Sequence, residues 1–377
     1  MAVRKTPKPD TKPRRSTLQR ILRGLAISVD VLLGAALCLT AYAGNISPLQ
    51  HGGIWGIFPL CFPFCLVAAV IILILQLFWN RIGALIMALA MLICAGPIWD
   101  YCPLHFGTPS VPDDATKFTL LSYNVHNFLR PGEKEYDTSD DSAVAYILNT
   151  DADIVCLQEA SFLALANCLP AKLVYDIHNH YPNVLINDEV ALLSRFPVQA
   201  VHLDPAPDIF KGADVACWRV TLPSGRFITV FNVHLESMRM KDDDREMYRN
   251  LTEFHRESIH DVKERILSKL SFSAVNRARQ VQQLLRYIRL YGGPDVIITG
   301  DFNDVPGCYA IHALADAGFR SAYADRALGP AITFNQSRLY FRIDHTLYRG
   351  ELKPLAISRG STGASDHYPL VSSWALW

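Results

Sequence analysis

Several features are missing from this sequence, and each absence excludes a class of protein. The 377 residues carry 36 Lys and Arg against 36 Asp and Glu, so no excess of positive charge marks a general nucleic-acid binder. The nine cysteines form no metal-type pair-of-pairs pattern, and a disulfide framework is not indicated. We find no internal repeat, and low complexity is confined to the Lys/Arg/Pro-rich start. The 50% hydrophobic content excludes a wholly disordered chain.

Long uncharged runs open the chain and predict membrane-spanning helices. Ile57–Phe78 holds 22 residues without a charge, and at about 1.5 Å per residue it spans the roughly 30 Å hydrocarbon core. Ile82–Trp99 adds 18 uncharged residues and ends on an aromatic of the kind found at interfaces. Gly24–Ile46 is interrupted by Asp30, which we expect to reach the interface or a neighbouring helix. The sequence therefore predicts three transmembrane helices.

The distribution of Lys and Arg predicts the orientation of these helices. Met1–Arg23 carries eight Lys and Arg against one acid, and such residues beside a span stay in the cytoplasm. The loop Asn45–Gly53 has no Lys or Arg, whereas the turn after the second span holds Arg81. The N-terminus is therefore predicted inside and everything after Trp99 outside. Ala41–Ala43 resembles a signal cleavage site, and cleavage there would leave the same outward orientation.

The rest of the chain alternates strand and helix signals, which predicts a mixed α/β domain. The spacing of Val281, Leu284, Leu285 and Ile288 forms one apolar helical stripe. Leu222–Gly225 reads as a hairpin turn, and the strongly charged Ser237–Ser273 as a solvated helical insertion. The predicted strands are Phe118–Val125, Asp153–Leu157, Phe227–His234 and Val296–Thr299.

Carboxylates, amides and histidines follow these strands at several separate places. Taken singly, a strand-end Asn or Asp is as often a turn former as a functional residue. Together they point to a site, because polar groups at strand ends converge on one rim of a sheet. The motifs are Asn124, Gln158-Glu159, Ser194-Arg195-Phe196-Pro197, His234, Gly300-Asp301-Phe302-Asn303, Arg342-Ile343-Asp344 and Ser365-Asp366-His367.

In order and spacing, these motifs resemble the endonuclease/exonuclease/phosphatase superfamily, with its deoxyribonuclease-I-like fold. The resemblance runs from about Lys117 to Trp377 and does not cover the preceding part of the chain. It implies a four-layer sandwich, two mixed sheets flanked by helices, that hydrolyses phosphoester bonds with Mg²⁺. The superfamily includes nucleases, abasic-site endonucleases, inositol-phosphate phosphatases and neutral sphingomyelinases.

Residue roles follow from the resemblance together with the chemistry of phosphoester hydrolysis. Glu159 is an oxygen ligand suited to Mg²⁺ or Mn²⁺, Asn124 would help to hold the ion, and Asp366 could supply a second carboxylate. The resemblance implies that Asp301 and Asn303 orient the attacking water and the phosphate.

Two histidines complete the predicted catalytic set. His367, oriented by Asp344, would be a general base or a phosphate clamp. His234 would donate to the leaving group or to a phosphate oxygen, and the division of acid and base roles between the two stays open. We expect Glu236 and His345 to be structural.

Arg195 has two equal interpretations. It contacts phosphate, or it pairs with surface acids. We therefore leave it out of the catalytic set.

The leading functional hypothesis is a membrane-anchored, metal-dependent hydrolase of a phosphodiester, in nucleic acid or in a phospholipid head group. A diester is favoured because one histidine can take the proton of water while the other protonates an alkoxide leaving group. The alternatives are a phosphomonoesterase acting on a small phosphate ester and a binding module that has lost catalysis. The predicted organisation is a basic cytoplasmic tail (1–23), a three-helix anchor (24–99), a linker (100–116) and the catalytic domain (117–377).

Overall fold

The structure is a computed structural model that describes residues 17–133, 139, 141–161, 171–206, 208–211, 213–238, 259–336 and 339–377. Most of the predicted basic tail therefore lies outside the described residues. The chain divides into two compact units. The first consists of Phe64–Cys94 and the described residues up to Cys38, and the second of Leu39–Pro63 and Ala95–Trp377.

The N-terminal part of the chain is helical. Two stretches, Thr17–Asn45 and Gly53–Trp79, are long and apolar enough to cross a membrane. The next two helical segments, Arg81–Ile93 and Ala95–Tyr101, pass the same test when they are taken together as one span with a bend of 69°. The helices are α1 (Thr17–Tyr42), α2 (Pro48–His51), α3 (Phe58–Trp79), α4 (Arg81–Ile93) and α5 (Ala95–Tyr101).

The third predicted helix, Ile82–Trp99, is broken in the structure. Helix α4 ends at Ile93 and α5 begins at Ala95. Pro97 has no N–H to donate to the carbonyl of Ile93, and its ring clashes with that carbonyl, so an unbroken helix is disfavoured there. The apolar run was predicted correctly as helical, but not its bend.

The charge inside the first apolar segment is accommodated within the first unit. Asp30 is buried, and its two carboxylate oxygens accept hydrogen bonds from Nε2 of Gln76 at 2.9 and 3.0 Å. Gly83 leaves the room for this pair, because a Cβ at that position would lie 2.2 Å from Oδ2 of Asp30. The acid therefore meets a neighbouring helix, one of the two placements expected from the sequence.

Fourteen strands of the second unit, counted over the described residues, build two six-stranded sheets and one small hairpin. The first sheet has the order β13-β14-β1-β2-β4-β3, and the second β5-β6-β7-β8-β12-β9. Each is mixed, since β1–β2 and β7–β8 are parallel and the other pairs are antiparallel. The strands are β1 (Thr116–Asn124), β2 (Ile154–Gln158), β3 (Asn183–Asn187), β4 (Val190–Ser194), β5 (Val198–Val201), β6 (Asp214–Thr221), β7 (Phe227–His234), β8 (Val296–Asp301), β9 (Arg320–Ser321), β10 (Phe334–Gln336), β11 (Leu339–Phe341), β12 (Asp344–Arg349), β13 (Lys353–Arg359) and β14 (Leu370–Leu376).

Helices cover the outer faces of the two sheets and complete four layers. The sheets share one buried core, to which Leu120 and Trp374 contribute from one side and Trp218 and Ile297 from the other. A second apolar cluster joins the first sheet to its helices, and a third joins the second sheet to its own. The predicted sandwich is therefore confirmed. The helices on the outer faces are α6 (Ala143–Thr150), α7 (Ala171–His180), α8 (Ile259–Tyr291) and α9 (Tyr309–Asp316), whereas α10 (Ala322–Arg326) packs into the core shared by the sheets.

Two local predictions have different outcomes. The hairpin turn at Leu222–Gly225 is present, with Gly225 at φ 82° and its N–H donating to the carbonyl of Leu222. The predicted insertion Ser237–Ser273 lies outside the described residues over 239–258, and its last part belongs to α8. That part is not fully solvated, because Ser273 is completely buried. The described cysteines are free thiols, in agreement with the absence of a disulfide framework.

Candidate active site

Strand ends bring the predicted polar residues to one edge of the sandwich. Asn124 ends β1 beside Gln158, the last residue of the parallel strand β2. In the second sheet, His234 ends β7 directly beside Asp301, the last residue of the parallel strand β8. Parallel neighbours place their carboxyl ends at the same edge, and the two sheets face each other. The sequence motifs therefore meet across the mouth of the sandwich.

A histidine between two carboxylates forms the most buried part of the site. Nδ1 of His367 lies 2.9 Å from Oδ2 of Asp344, and its Nε2 lies 3.5 Å from Oδ2 of Asp301. The ring of Phe334 packs against the imidazole at 5.0 Å between centroids. Burial alone would lower the pKa of His367, but the two carboxylates outweigh it and raise the pKa well above its usual value. The protein therefore fixes this ring and favours its protonated form.

Asp301 and Asn303 are held by the geometry of the loop that follows β8. The N–H of Asn303 donates to Oδ1 of Asp301 at 2.8 Å, and its side-chain amide donates to the carbonyl of Leu235 at 3.0 Å. Asn303 has φ 50°, and Gly300 has φ 138°. A Cβ on Gly300 would lie 2.0 Å from the carbonyl oxygen of Val233, so only glycine fits there. Burial raises the pKa of Asp301.

Asn124 links the carboxylates of the two sheets. Its Nδ2 donates to Oε1 of Glu159 at 3.0 Å and to Oδ2 of Asp301 at 3.1 Å. Burial opposes ionisation of Glu159, but the interactions with His126, His234 and Asn124 prevail and lower its pKa to about 2. Glu159 is therefore a carboxylate at neutral pH.

His126 belongs to the site and was missed from the sequence. Its Nδ1 lies 3.5 Å from Oε2 of Glu159 and 3.6 Å from Oδ1 of Asp366. Glu159 and Asp366 thus both lie beside the same imidazole, and both offer hard oxygen donors of the kind that Mg²⁺ prefers. Of the residues proposed to hold the metal, Glu159 and Asp366 therefore suit such an ion, and Asn124 holds Glu159 through its side-chain amide.

A second group of donors lies deeper in the site. Ligand atoms of Asp301, Asp344 and His367 all lie within 4.8 Å of one another. Nδ1 of His367 is already engaged by Asp344, however, which suits these three residues to holding and moving a proton. We therefore favour the more exposed oxygen cluster for the metal.

His234 is the second histidine beside Asp301. Its Nε2 lies 3.8 Å from Oε1 of Glu159 and 3.8 Å from Oδ2 of Asp301. Its Nδ1 lies 3.5 Å from Oε2 of Glu189, a partner that the sequence motifs did not indicate. Burial would lower the pKa of His234, but Glu189, Asp301 and Glu159 raise it to about 9.

Three further residues considered in the sequence lie in structural contacts. Arg195 forms an ion pair with Asp151 at the surface, which matches its interpretation as a partner of surface acids. The backbone N–H of Glu236 donates to Oε1 of Gln280 at 2.9 Å. His345 is buried, with Nε2 2.8 Å from the carbonyl oxygen of Asp304.

Comparisons with known sequences find a family match and a curated relative. The sequence model described as "Endonuclease/Exonuclease/phosphatase family" matches residues 121–367. The chain is 27% identical over 246 residues to the "Inositol phosphosphingolipids phospholipase C" of Schizosaccharomyces pombe, which covers 60% of this chain and 51% of that protein. The chain thus spans about half the length of this curated relative.

The solved structures that are similar to this chain include an endonuclease/exonuclease/phosphatase from Beutenbergia cavernae. It aligns with a TM-score of 0.48 at 15% identity, over 69% of this chain and 72% of its own. An AP endonuclease from Archaeoglobus fulgidus aligns with a TM-score of 0.45 at 16% identity, over 68% of this chain and 98% of its own.

Proposed function

Because this chain belongs to the endonuclease/exonuclease/phosphatase family, whose members hydrolyse phosphoesters, we propose that it is a metal-dependent phosphodiesterase. One observation carries the proposal: two histidines and an amide converge on a single carboxylate oxygen. Oδ2 of Asp301 lies 3.5 Å from Nε2 of His367, 3.8 Å from Nε2 of His234 and 3.1 Å from Nδ2 of Asn124. A phosphate bound beside this oxygen would be within reach of both histidines.

The catalytic roles follow from these positions. Asp301, held by the N–H of Asn303, orients the attacking water and accepts its proton. His367, fixed by Asp344, donates to a phosphate oxygen. His234, whose Nε2 lies 3.8 Å from Oδ2 of Asp301, would protonate the leaving alkoxide.

The metal requirement rests on the oxygen donors of the more exposed cluster. Glu159, Asn124 and Asp366 would hold Mg²⁺, with Mn²⁺ as a substitute. The bound ion would neutralise charge on the non-bridging phosphate oxygens. The protein's own contribution is to keep Glu159 ionised, through its contacts with Asn124 and the nearby histidines.

We propose a phosphodiester in a phospholipid head group as the first substrate class. The residues after Arg23 sum to a net charge of about minus seven, which disfavours tight non-specific binding to nucleic acid. The Schizosaccharomyces pombe relative is named for phospholipase C action on inositol phosphosphingolipids, which supports a lipid diester. A nucleic-acid diester and a small phosphomonoester are the alternatives.

The membrane topology is proposed from chain connectivity. Residues 43–62, which we call the inter-span segment, hold the end of the first apolar stretch, the loop after it and the start of the second stretch, and they belong to the same compact unit as Ala95–Trp377. Two parts of one unit lie on the same side of a membrane, so the chain between them crosses it an even number of times. If α3 crosses, the chain must return before Ala95, through α4, and α1 makes three spans. The basic residues before α1 then keep the N-terminus in the cytoplasm and the catalytic unit outside.

The test is a substrate panel with the full-length protein in lipid nanodiscs. Natural substrates with unactivated alkoxide leaving groups are needed, because nitrophenyl esters hide the need for a proton donor. We expect Mg²⁺-dependent hydrolysis of phospholipid diesters to exceed that of oligonucleotides and of inositol or sugar monophosphates. A clear preference for monophosphates would overturn the diester assignment, and no hydrolysis of any phosphoester would favour the non-catalytic binding module.

A further inference from the structure

The inter-span segment is packed as a part of the catalytic unit. It contains the 3₁₀ turns Ala43–Asn45 and Gly53–Gly56, helix α2 and the first turn of α3. The region that matches the family begins only at residue 121, so the family match assigns nothing to this segment.

Gly44 lies against the loop that carries Asp301 and Asn303, which we call the catalytic loop (residues 301–308). Gly44 is buried, and a Cβ built on it would lie 1.9 Å from the carbonyl oxygen of Gly307. The same Cβ would lie 2.8 Å from Cδ2 of His312. Any side chain at position 44 must therefore displace the backbone at the end of the catalytic loop.

Two more glycines of the segment lie against helix α8. A Cβ on Gly53 would lie 2.0 Å from the carbonyl oxygen of Ser271, and one on Gly56 would lie 2.4 Å from Cβ of Ala274. Arg277 follows on the same helix and reaches the catalytic loop, with Nε 3.3 Å from Oδ2 of Asp304. The segment thus packs closely on α8 at these glycines, and α8 in turn contacts the catalytic loop through Arg277.

Leu60 packs in a buried apolar cluster that includes residues of the catalytic loop. It is 8% exposed and belongs to a buried cluster with two residues of that loop, Val305 and Cys308. Sγ of Cys308 also lies 4.0 Å from the carbonyl oxygen of Gly56. The other buried members are Phe334, Phe341 and Ile343.

The same cluster also contacts the rest of the site. Phe334 packs on the ring of His367, and Ile343 precedes Asp344 in the chain. The cluster that contains Leu60 therefore contacts the catalytic loop and the imidazole of His367, and it includes the residue before Asp344.

We propose that the inter-span segment positions the catalytic loop, with Gly44 and Leu60 as positioning residues for the reaction. The segment connects the first two predicted spans, and its Gly44 lies against the end of the loop that carries Asp301 and Asn303. Reactions of this kind are sensitive to placement, since a shift of about 1 Å in a positioned group can cost roughly 100-fold in rate. This inference rests on the proposed phosphoesterase activity for its kinetic readout only.

The test compares Gly44→Ala with Gly96→Ala in the full-length protein in nanodiscs. A Cβ on Gly96 meets nothing within 4 Å, so this variant is the matched control. We expect Gly44→Ala to lower kcat by about 10-fold to 100-fold. We also expect KM to change by less than about threefold, because the positioning acts on the chemical step. In an Asn303→Ala background the further loss of kcat should be much smaller, because both changes act on the same loop. Equal kcat for the two glycine variants, or full additivity with Asn303→Ala, would overturn the proposal.

A second pair of variants separates positioning from folding. Leu60→Ala should leave a cavity in the cluster that holds Val305 and Cys308, whereas Leu60→Met conserves volume and should keep kcat within about threefold of the unmodified protein. A fall in kcat that follows the folded fraction, measured by thermal unfolding, would reduce Leu60 to a purely structural role and overturn its assignment.

Hydrogen exchange provides a readout that needs no substrate. Backbone amides of residues 301–308 should exchange faster in Gly44→Ala and Leu60→Ala than in the unmodified protein and in Gly96→Ala. If the unmodified protein shows no phosphoesterase activity, the proposed function fails, while this exchange measurement still decides the packing role. Unchanged exchange in residues 301–308 would contradict the proposal.

Discussion

Replacing Asp344 by Asn removes the charge that holds the His367 ring, and the structure gives the expected size of the effect. Nδ1 of His367 donates to Oδ2 of Asp344 at 2.9 Å, and both residues are buried. A hydrogen bond to a charged group contributes about 1.5–3 kcal/mol, so kcat should fall by roughly 10-fold to 150-fold. The amide keeps the shape of the carboxylate, so the loss reflects charge and proton position rather than packing.

Asp295→Asn is the matched control for this change. Asp295 is also buried and pairs with Arg226 at 2.8 Å, but it precedes the first residue of β8. Asp301 ends that strand, about 20 Å away at roughly 3.3 Å per residue. We therefore expect Asp295→Asn to lower the unfolding temperature while leaving kcat within about twofold of the unmodified protein.

The assay is the initial rate of phosphodiester hydrolysis by the full-length protein at saturating Mg²⁺, with thermal unfolding recorded for each variant. If Asp344→Asn kept the kcat of Asp295→Asn, the pair of Asp344 and His367 would have no part in the reaction. A loss of activity explained entirely by unfolding would refute the reasoning in the same way.

Three further outcomes are expected. Glu159→Gln should raise the Mg²⁺ concentration for half-maximal rate by at least roughly 10-fold in a metal titration. An unchanged Mg²⁺ concentration would mean that Glu159 does not bind the ion. Burial lowers the pKa of His345 from 6.5 to about 3, so the unfolded chain binds a proton that the folded protein does not, and stability is lost as the pH falls from 6.5 towards 3. His345→Gln should flatten the fall in unfolding temperature between pH 6.5 and pH 4, and an unaltered slope would assign the acid sensitivity to other groups. A reporter that works only after export, fused after Trp377, should be active, whereas activity of a cytoplasm-only reporter there would mean that a span is miscounted.

Strand ends made most of the site predictable from the sequence. Short β-branched and aromatic runs identified the strands, and polar residues closed them. Parallel pairing then brings Asn124 and Glu159 together at one edge, and His234 and Asp301 at the facing edge. The long separation of these residues in sequence did not matter, because strand direction alone determines which ends meet.

His126 and Glu189 could not be predicted in the same way. His126 reaches the site because three successive residues, His126 to Phe128, take left-handed backbone conformations with φ of 47°, 53° and 60°. These residue types do not require that conformation, so the sequence carries no clear signal for it. Glu189 lies between two strands of the first sheet, whereas its partner His234 ends a strand of the second. Their contact therefore depends on how the two sheets pack, which the sequence motifs do not indicate.

The apolar N-terminal part shows where composition is insufficient. Apolar runs predicted the helices correctly, but the break before Pro97 depends on one missing N–H rather than on hydropathy. The packing of the inter-span segment depends on the absence of side chains at Gly44, Gly53 and Gly56, together with a partner surface far along the chain. A glycine in a loop has many uses, so close approach is visible only once the fold is known.

Metal dependence of phosphodiester hydrolysis tests the central claim most directly. The measurement is the initial rate of head-group release from phospholipid by the full-length protein, with Mg²⁺ and then after chelation, alongside Asp301→Ala. Hydrolysis that requires Mg²⁺, is lost on chelation, returns when the metal is restored and falls by about 100-fold or more in Asp301→Ala is the predicted result. A full rate in metal-free buffer, or an Asp301→Ala variant as active as the unmodified protein, would contradict the account.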